Sequence, residues 1–189
     1  HLKKDTFHET GLKQYLENEE REKLIIDGRQ DCDALLFQFG VRVEGLIDLQ
    51  VLEVFSRAFE EKYRQDKRAV GWSITHIFGG NKMLEKYLHQ KHDTATPDHG
   101  RWRERPLPQA LKEYAANDVR HLCALYTVFM NIFRRSDRSK VRIFAKKQTL
   151  ERINHFRDAI TPLEKGDHRS KVDFTPLNRL YCTHPKCHW

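Results

Sequence analysis

The stretch KLIIDGRQDCDALLFQFGVRVEGLIDLQVLEVF, residues 23–55, decides the fold class of this chain. Two short apolar runs, at residues 23–26 and 43–50, are typical of strands, and each leads into a segment with the apolar spacing of a helix. Gly40 is a typical stop for the first of these helices. This order of strand, helix, strand and helix predicts an α/β fold with parallel strands.

The flanking segments are predicted to be mainly helical. Residues 9–18 and 79–92 have the pattern of short amphipathic helices, and a long helix is predicted from about residue 108 to residue 133. The sequence then becomes basic and finally irregular. We therefore expect two parts, an α/β domain over residues 1–133 and a basic helical extension with an irregular tail over residues 134–189.

The composition favours an intracellular protein with a polyanionic partner. The 189 residues carry a formal net charge of +7, which favours nucleic acid over a membrane, although a soluble protein with a basic surface has the same balance. The four cysteines are too few for a disulfide framework, and Cys32 and Cys123 lie in apolar helical patterns, as buried thiols do. No apolar run reaches the roughly 18 residues of a transmembrane helix. We expect a protein of the cytoplasm or nucleus.

An acid occupies an apolar face in LKEYAANDVRHLCALY, residues 111–126. Asp118 shares one helical face with Leu111 and Leu122, because the intervals between them are close to whole helical turns. A buried carboxylate is costly unless it is paired, hydrogen-bonded or bound to a cation. The spacing therefore predicts either a metal ligand or an ion pair with a buried arginine, for which the candidates are Arg101, Arg103 and Arg105.

Two further residues fit a metal site of the same kind. Tyr114 lies one turn before Asp118, where its phenol can hydrogen-bond the carboxylate or orient a water beside a bound metal. Asp31 begins the apolar column of the first long helix, although the helix dipole also favours an acid in that turn. Carboxylate oxygens suit Mg²⁺ or Mn²⁺, and paired ions of this kind activate water against a phosphodiester. Spacing alone leaves structural roles open for both acids.

Two stretches resemble motifs of a nuclease superfamily. RWRERPLPQALKEYAANDVRHLCALY, residues 101–126, resembles the third exonuclease motif of the DEDD superfamily, tyrosine subtype, as in ribonuclease D. Residues 24–55 are similar to the second motif, with closer likeness to the branch that contains Egalitarian-type exonuclease domains. The positions of the third motif that match are Trp102, Arg105, Pro106, Leu107, Tyr114 and Asp118.

The resemblance implies an RNase H-like α/β fold with a mixed sheet flanked by helices. Asp31 and Asp118 would then bind Mg²⁺ or Mn²⁺, and Tyr114 would position the attacking water. Asp33 competes with Asp31 for the second-motif position, but Asp31 has the family's Asp-x-x-x-Leu spacing. Asp27 is predicted to cap the helix and Asp48 to be a structural acid at a strand end.

The first motif of the family, Asp-x-Glu on an early strand, does not occur in these 189 residues. We expect either that the opening strands of the fold are missing from this chain or that the site is degenerate. The resemblance accordingly implies a two-metal 3′–5′ exonuclease of RNA or single-stranded nucleic acid. The alternative is an inactive exonuclease fold that acts as an RNA-binding adaptor or a dimerising scaffold, with a second copy or a protein partner.

Basic and aromatic residues supply candidates for nucleic-acid contact. Residues 134–157 contain nine Lys or Arg against two acids, which is commonly a solvated helix face but suits a phosphate track beside a nuclease core. Trp72 and Trp102 are candidates for base stacking or for the core. Cys182 and Cys187 are at most half of a zinc site. The predicted nucleic-acid-binding residues are Arg105, Arg134, Arg135, Arg138, Lys140, Arg142, Lys146 and Lys147.

Overall fold

The computed structural model describes residues 7, 9–63, 77–91 and 98–158. The predictions for Trp72, Cys182 and Cys187 lie outside these residues. The elements in chain order are α1 (Leu12–Glu17), β1 (Lys23–Ile25), α2 (Arg29–Phe39), β2 (Leu46–Asp48), α3 (Leu49–Tyr63), α4 (Gly80–Met83), a π-helical turn (Leu84–Leu88), a 3₁₀ helix (His99–Arg103), α5 (Gln109–Arg120), α6 (Leu122–Ile132) and α7 (Arg138–Asp158).

The two predicted strands form a parallel pair. Lys23 lies opposite Leu46, and Ile25 lies opposite Asp48. In the described part of the chain β1 pairs with β2 on one side, and no strand pairs with its other edge. The strand–helix–strand prediction is confirmed. The family resemblance implies a mixed sheet, and the described residues contain its parallel pair but no antiparallel pair.

The entry into the two strands is held by a lysine and a glycine. The Lys23 ammonium donates to the backbone carbonyls of Asn18, Arg21 and Glu44 at 2.8 Å each, and burial lowers its pKa. Gly45 has a φ of +68°, and a Cβ there would lie 2.6 Å from the Arg21 carbonyl oxygen. Gly45 is therefore required by both its backbone angle and this close approach.

The core lies between the sheet, α3, α6 and α7. Its fully buried side chains come from β2, α3, α6 and the first half of α7, and include Ile47, Phe55, Phe129 and Val141. The basic segment thus packs into the same core as the strands, against β2 and α2. The division of the chain at residue 133 stays a prediction, since the packing of the described residues is continuous across it.

A buried ion pair joins α7 to the end of β2. The Arg152 guanidinium donates to Asp48 at 2.6 Å, and both side chains are 4% exposed. The Asp48 carboxylate also accepts the backbone N–H groups of Asp27 and Gln50. Burial raises the pKa of Asp48, while Arg152 opposes that rise. The prediction that Asp48 is a structural acid is confirmed.

Three local predictions are wrong. The α2 helix has Gly28 as its N-cap without a side-chain cap, and Asp27 instead accepts hydrogen bonds from Arg29. The predicted long helix is two helices that meet at His121, whose φ of −102° interrupts the helical path. Cys32 is buried as predicted, and burial raises its pKa to about 11, but Cys123 was predicted to be buried and is exposed.

Among the helices that the structure describes, none combines the length and the apolar character that a membrane span requires.

Candidate active site

Asp31 is positioned by the turn that follows β1. Asp27 has a φ of +55°, and its backbone N–H donates to the buried Asp48 carboxylate at 3.3 Å. This bond fixes the turn against β2, so that α2 begins at Arg29 and Asp31 falls in its first turn. The Asp31 side chain is exposed. The buried Asp48 network therefore holds the backbone that presents an exposed acid.

Asp118 lies near the C-terminal end of α5 and is also exposed. The prediction that it occupies a buried face is wrong, because α5 ends at Arg120 and the face between α5 and α6 opens onto a groove. Two of the arginines proposed as buried partners bind elsewhere. Arg101 donates to Glu104 at 2.7 Å, and Arg105 donates to the carbonyls of Trp102 and Glu104.

One groove of about 830 Å³ brings Asp31 and Asp118 together. It is lined by apolar residues of β1 and by the first turn of α2, the start of α4 and the junction of α5 with α6. Tyr114, one turn before Asp118, is half-buried and does not line this groove. The lining residues are Leu24, Ile25, Ile26, Asp31, Gly79, Gly80, Asn81, Lys82, Leu84, Asn117, Asp118, Val119, His121, Leu122 and Leu125.

A second groove of about 680 Å³ continues along β1. It shares Leu24, Ile25 and Asp31 with the first groove and extends toward α1. Asp31 therefore stands where the two meet. The open side of β1 is bordered along its length by concave, mainly apolar surface.

Asp33 has a different environment from Asp31. Its carboxylate accepts from Arg157 on α7 at 3.0 Å, and the two side chains are 17% and 18% exposed. Asp33 therefore ties α2 to α7 and does not line the groove. Between the two acids that compete for the second-motif position, the geometry favours Asp31 as the groove carboxylate.

The groove contains two carboxylates but no complete metal centre. Among the described residues, no group of three or more His, Cys, Asp or Glu side chains is placed to hold a metal ion. Asp31 and Asp118 fit Mg²⁺ or Mn²⁺ in ligand type, because both ions prefer oxygen ligands. They do not fit in number, since a two-metal site needs further carboxylates.

Several basic side chains of the predicted phosphate track form ion pairs with acidic residues of the protein. Glu22 accepts from Arg142 at 2.6 Å and from Lys146 at 3.1 Å. Lys147 lies 3.8 Å from Glu151. The remaining members differ: Arg138 donates to the Asn131 side chain, whereas Arg134, Arg135 and Lys140 are exposed.

Other groove residues were not predicted from the sequence. Asn117 and His121 line it beside Asp118, and Lys82 lines it from α4. A sequence signal existed for Lys82, because Phe78, Lys82 and Lys86 are spaced four residues apart and so share a helical face. His121 gave no such signal, since its position depends on the break between α5 and α6.

Comparison with known proteins supports a nuclease relationship. A family model described as 3′–5′ exonuclease matches residues 2–134, which is more than half of the chain. No curated protein matches the chain in sequence.

Two solved structures of Trypanosoma brucei RNase D share the fold. The GMP complex has a TM-score of 0.65 and 23% identity over 94% of this chain. The complex with RNA U12 has a TM-score of 0.61 and 24% identity, again over 94% of this chain. The chain spans 52% and 57% of those two structures.

Proposed function

The chain belongs to the 3′–5′ exonuclease family, and on that premise we propose that it hydrolyses RNA or another single-stranded nucleic acid from the 3′ end. The observation that carries the proposal is the shared groove, which is lined by both Asp31 from α2 and Asp118 from α5 although they are far apart in sequence. One of the solved relatives, RNase D, was crystallised with RNA, which supports RNA as the substrate class.

Each residue of the proposed site has a defined task. Asp31 and Asp118 would hold divalent cations, and Tyr114 would orient the attacking water through its hydroxyl. When bound, such cations lower the pKa of water and stabilise the leaving oxygen. The exposure of both carboxylates lets them reach cations and substrate without a large desolvation cost. We assign Arg105 and the exposed basic residues of positions 134–147 to phosphate contacts outside the groove.

The missing carboxylates have a natural position beside β1. Among the described residues no strand pairs with the second edge of β1, and an added strand would satisfy the backbone groups of that edge directly. The adjoining groove walls supply apolar side chains, among them Leu24, Ile26 and Leu122, that would bury one face of that strand. We propose that a further strand bearing carboxylates pairs at this edge and completes the cation site next to Asp31.

A second function is favoured by one observation, the presence of only two groove carboxylates among the described residues. If no further carboxylates join them, the domain binds RNA without cleaving it and acts as an adaptor or a dimerising scaffold. Hydrolysis therefore has to be tested directly.

The test is digestion of 3′- and 5′-labelled single-stranded RNA by the full-length protein with Mn²⁺. We expect stepwise shortening from the 3′ end that EDTA stops. Asp31→Asn and Asp118→Asn should each slow it by about 100-fold or more, because loss of a metal ligand removes several kcal/mol of transition-state stabilisation.

Matched controls lie on the same two helices outside the groove. Asp33→Asn on α2 and Glu113→Gln on α5 remove the same charge and should leave the rate within about threefold of the wild type, since neither residue lines the groove. Absence of any metal-dependent shortening by the full-length protein would contradict hydrolysis and favour the adaptor. Normal rates for Asp118→Asn would contradict the proposed site.

A further inference from the structure

Three cations surround the ring of Phe78, just before α4. The Arg57 guanidinium carbon lies 4.3 Å from the ring centroid, the Lys82 ammonium 4.4 Å and the Lys86 ammonium 4.9 Å. These distances are within the range of cation–π attraction. The ring therefore holds three positive charges in one place.

The arginine of this cluster is neutralised, but the lysines are not. Arg57 forms two hydrogen bonds to the fully buried Glu53, which also accepts the Tyr87 hydroxyl at 2.7 Å. Lys82 and Lys86 are exposed and lie one helical turn apart, and neither forms an ion pair with any residue that the structure describes. Two like charges at this spacing repel one another, so an anion bound between them would be favourable.

The cluster is fixed at the rim of the candidate active site. The Gln50 side chain donates to the Phe78 carbonyl at 3.0 Å and thereby ties this backbone to α3. Lys82 itself lines the groove that contains Asp31 and Asp118. A groove with two acids repels a polyanion, and a cationic rim offsets that repulsion.

We infer that Lys82 and Lys86, held by Phe78, form a phosphate-binding surface that guides a single-stranded nucleic acid into the groove. This inference rests on the proposed function for the identity of the ligand. Phe78 acts as a positioning residue, because cations already occupy the surroundings of its ring. By restricting both lysine side chains, it lowers the conformational entropy lost when phosphates bind.

The experiment measures binding of a labelled oligouridylate to the full-length protein by fluorescence anisotropy in EDTA, where hydrolysis does not occur. The Lys82→Gln/Lys86→Gln variant should bind about 10- to 30-fold more weakly at 0.1 M salt. The slope of log K against log salt should fall in magnitude by about 1.4, which is two single-strand phosphate contacts at roughly 0.7 each. Phe78→Leu keeps both charges and should weaken binding about threefold with the slope retained.

The matched control is Arg42→Gln/Lys112→Gln, which removes two exposed charges that line neither groove and should weaken binding by less than about threefold. An equal loss in this control would overturn the inference, because net charge alone would then explain the effect. Wild-type affinity and slope in the Lys82→Gln/Lys86→Gln variant would also overturn it. Binding of polyglutamate in place of RNA would assign the surface to an acidic protein and overturn it.

The two proposals fail differently. If RNA binding depends on Lys82 and Lys86 but Mn²⁺ produces no shortening, hydrolysis is contradicted and this inference is supported. If shortening of the RNA requires Asp118 but the affinity for oligouridylate does not depend on Lys82 and Lys86, the proposed function is supported and this inference is overturned.

Discussion

The helices α7 and α4 both present lysine and arginine, but they use these charges for different purposes. On α7, Arg152 is buried against Asp48, Arg157 binds Asp33, and Arg142 binds Glu22. On α4 and the turn that follows it, Lys82 and Lys86 gather around Phe78 without an acidic partner in the described residues. The longer basic helix mainly stabilises the fold, and the shorter one has charge left for a ligand.

This difference shows that the number of basic residues is a poor guide to a binding surface. The basic segment carries nine Lys or Arg over residues 134–157, yet several of these charges are balanced within the protein. A charge attracts a polyanion to the extent that it is not already compensated nearby. Pairing therefore ranks α4 above α7 as the phosphate contact nearest to Asp31 and Asp118.

The largest expected effect comes from Arg152, the most buried charge of α7. Arg152→Met keeps much of the side-chain volume but leaves Asp48 buried without its cation, so the free energy of unfolding should fall by about 3–5 kcal/mol. Urea denaturation of the two proteins measures this loss. Arg135→Met, at an exposed position before α7, should change the free energy by less than about 0.5 kcal/mol. A loss below 1 kcal/mol for Arg152→Met would mean that α7 is not anchored through this pair.

Much of the fold was predictable from local patterns. The short apolar runs around Leu24 and Ile47 predicted the parallel strands, and Gly40 ends α2 in the left-handed conformation as expected. The break at His121 was not predictable, because the periodicity of residues 111–126 continues through it. Helical periodicity identifies residues that share a face, but it does not identify what packs against that face.

The sequence predicted that two distant acids belong to one site, but it did not predict the surface on which they lie. The motif resemblance predicted Asp31 and Asp118 as partners, and both line one groove. Burial of Asp118 was expected from its apolar neighbours and was wrong, because the neighbouring surface is an open groove. The pairs that join α7 to the sheet connect positions about a hundred residues apart, which no local pattern can reveal.

A smaller effect is expected for the partly buried pair of Asp33 and Arg157. In a double-mutant cycle with Asp33→Ala and Arg157→Ala, the coupling should be about 1–2 kcal/mol, since both side chains are less than one fifth exposed. The matched cycle on Lys147 and Glu151, which are 67% and 52% exposed, should give less than about 0.5 kcal/mol. Equal couplings in the two cycles would contradict the view that burial separates the structural charges of α7 from its solvated ones.

The smallest effect concerns Glu22, which joins α7 to the start of β1. Burial would raise the pKa of Glu22, but Arg142 and Lys146 outweigh it and hold that pKa below its ordinary value. A lowered acid pKa stabilises the fold above the unfolded-state pKa of about 4.3, and this stabilisation is lost as the pH falls through the lower folded-state pKa.

Between pH 6 and pH 3, the wild type should therefore lose more unfolding free energy than Glu22→Gln, by less than about 1 kcal/mol because the Arg142 and Glu22 side chains are 44% and 25% exposed. Urea titrations at each pH measure the difference, with the exposed Glu20→Gln as control.

Glu22→Gln also releases Arg142 and Lys146 from their acidic partner. If pairing with Glu22 weakens the phosphate contacts of α7, Glu22→Gln should tighten oligouridylate binding by about two- to threefold at low salt. Unchanged binding would mean that α7 lies off the path of the nucleic acid, whatever its charge.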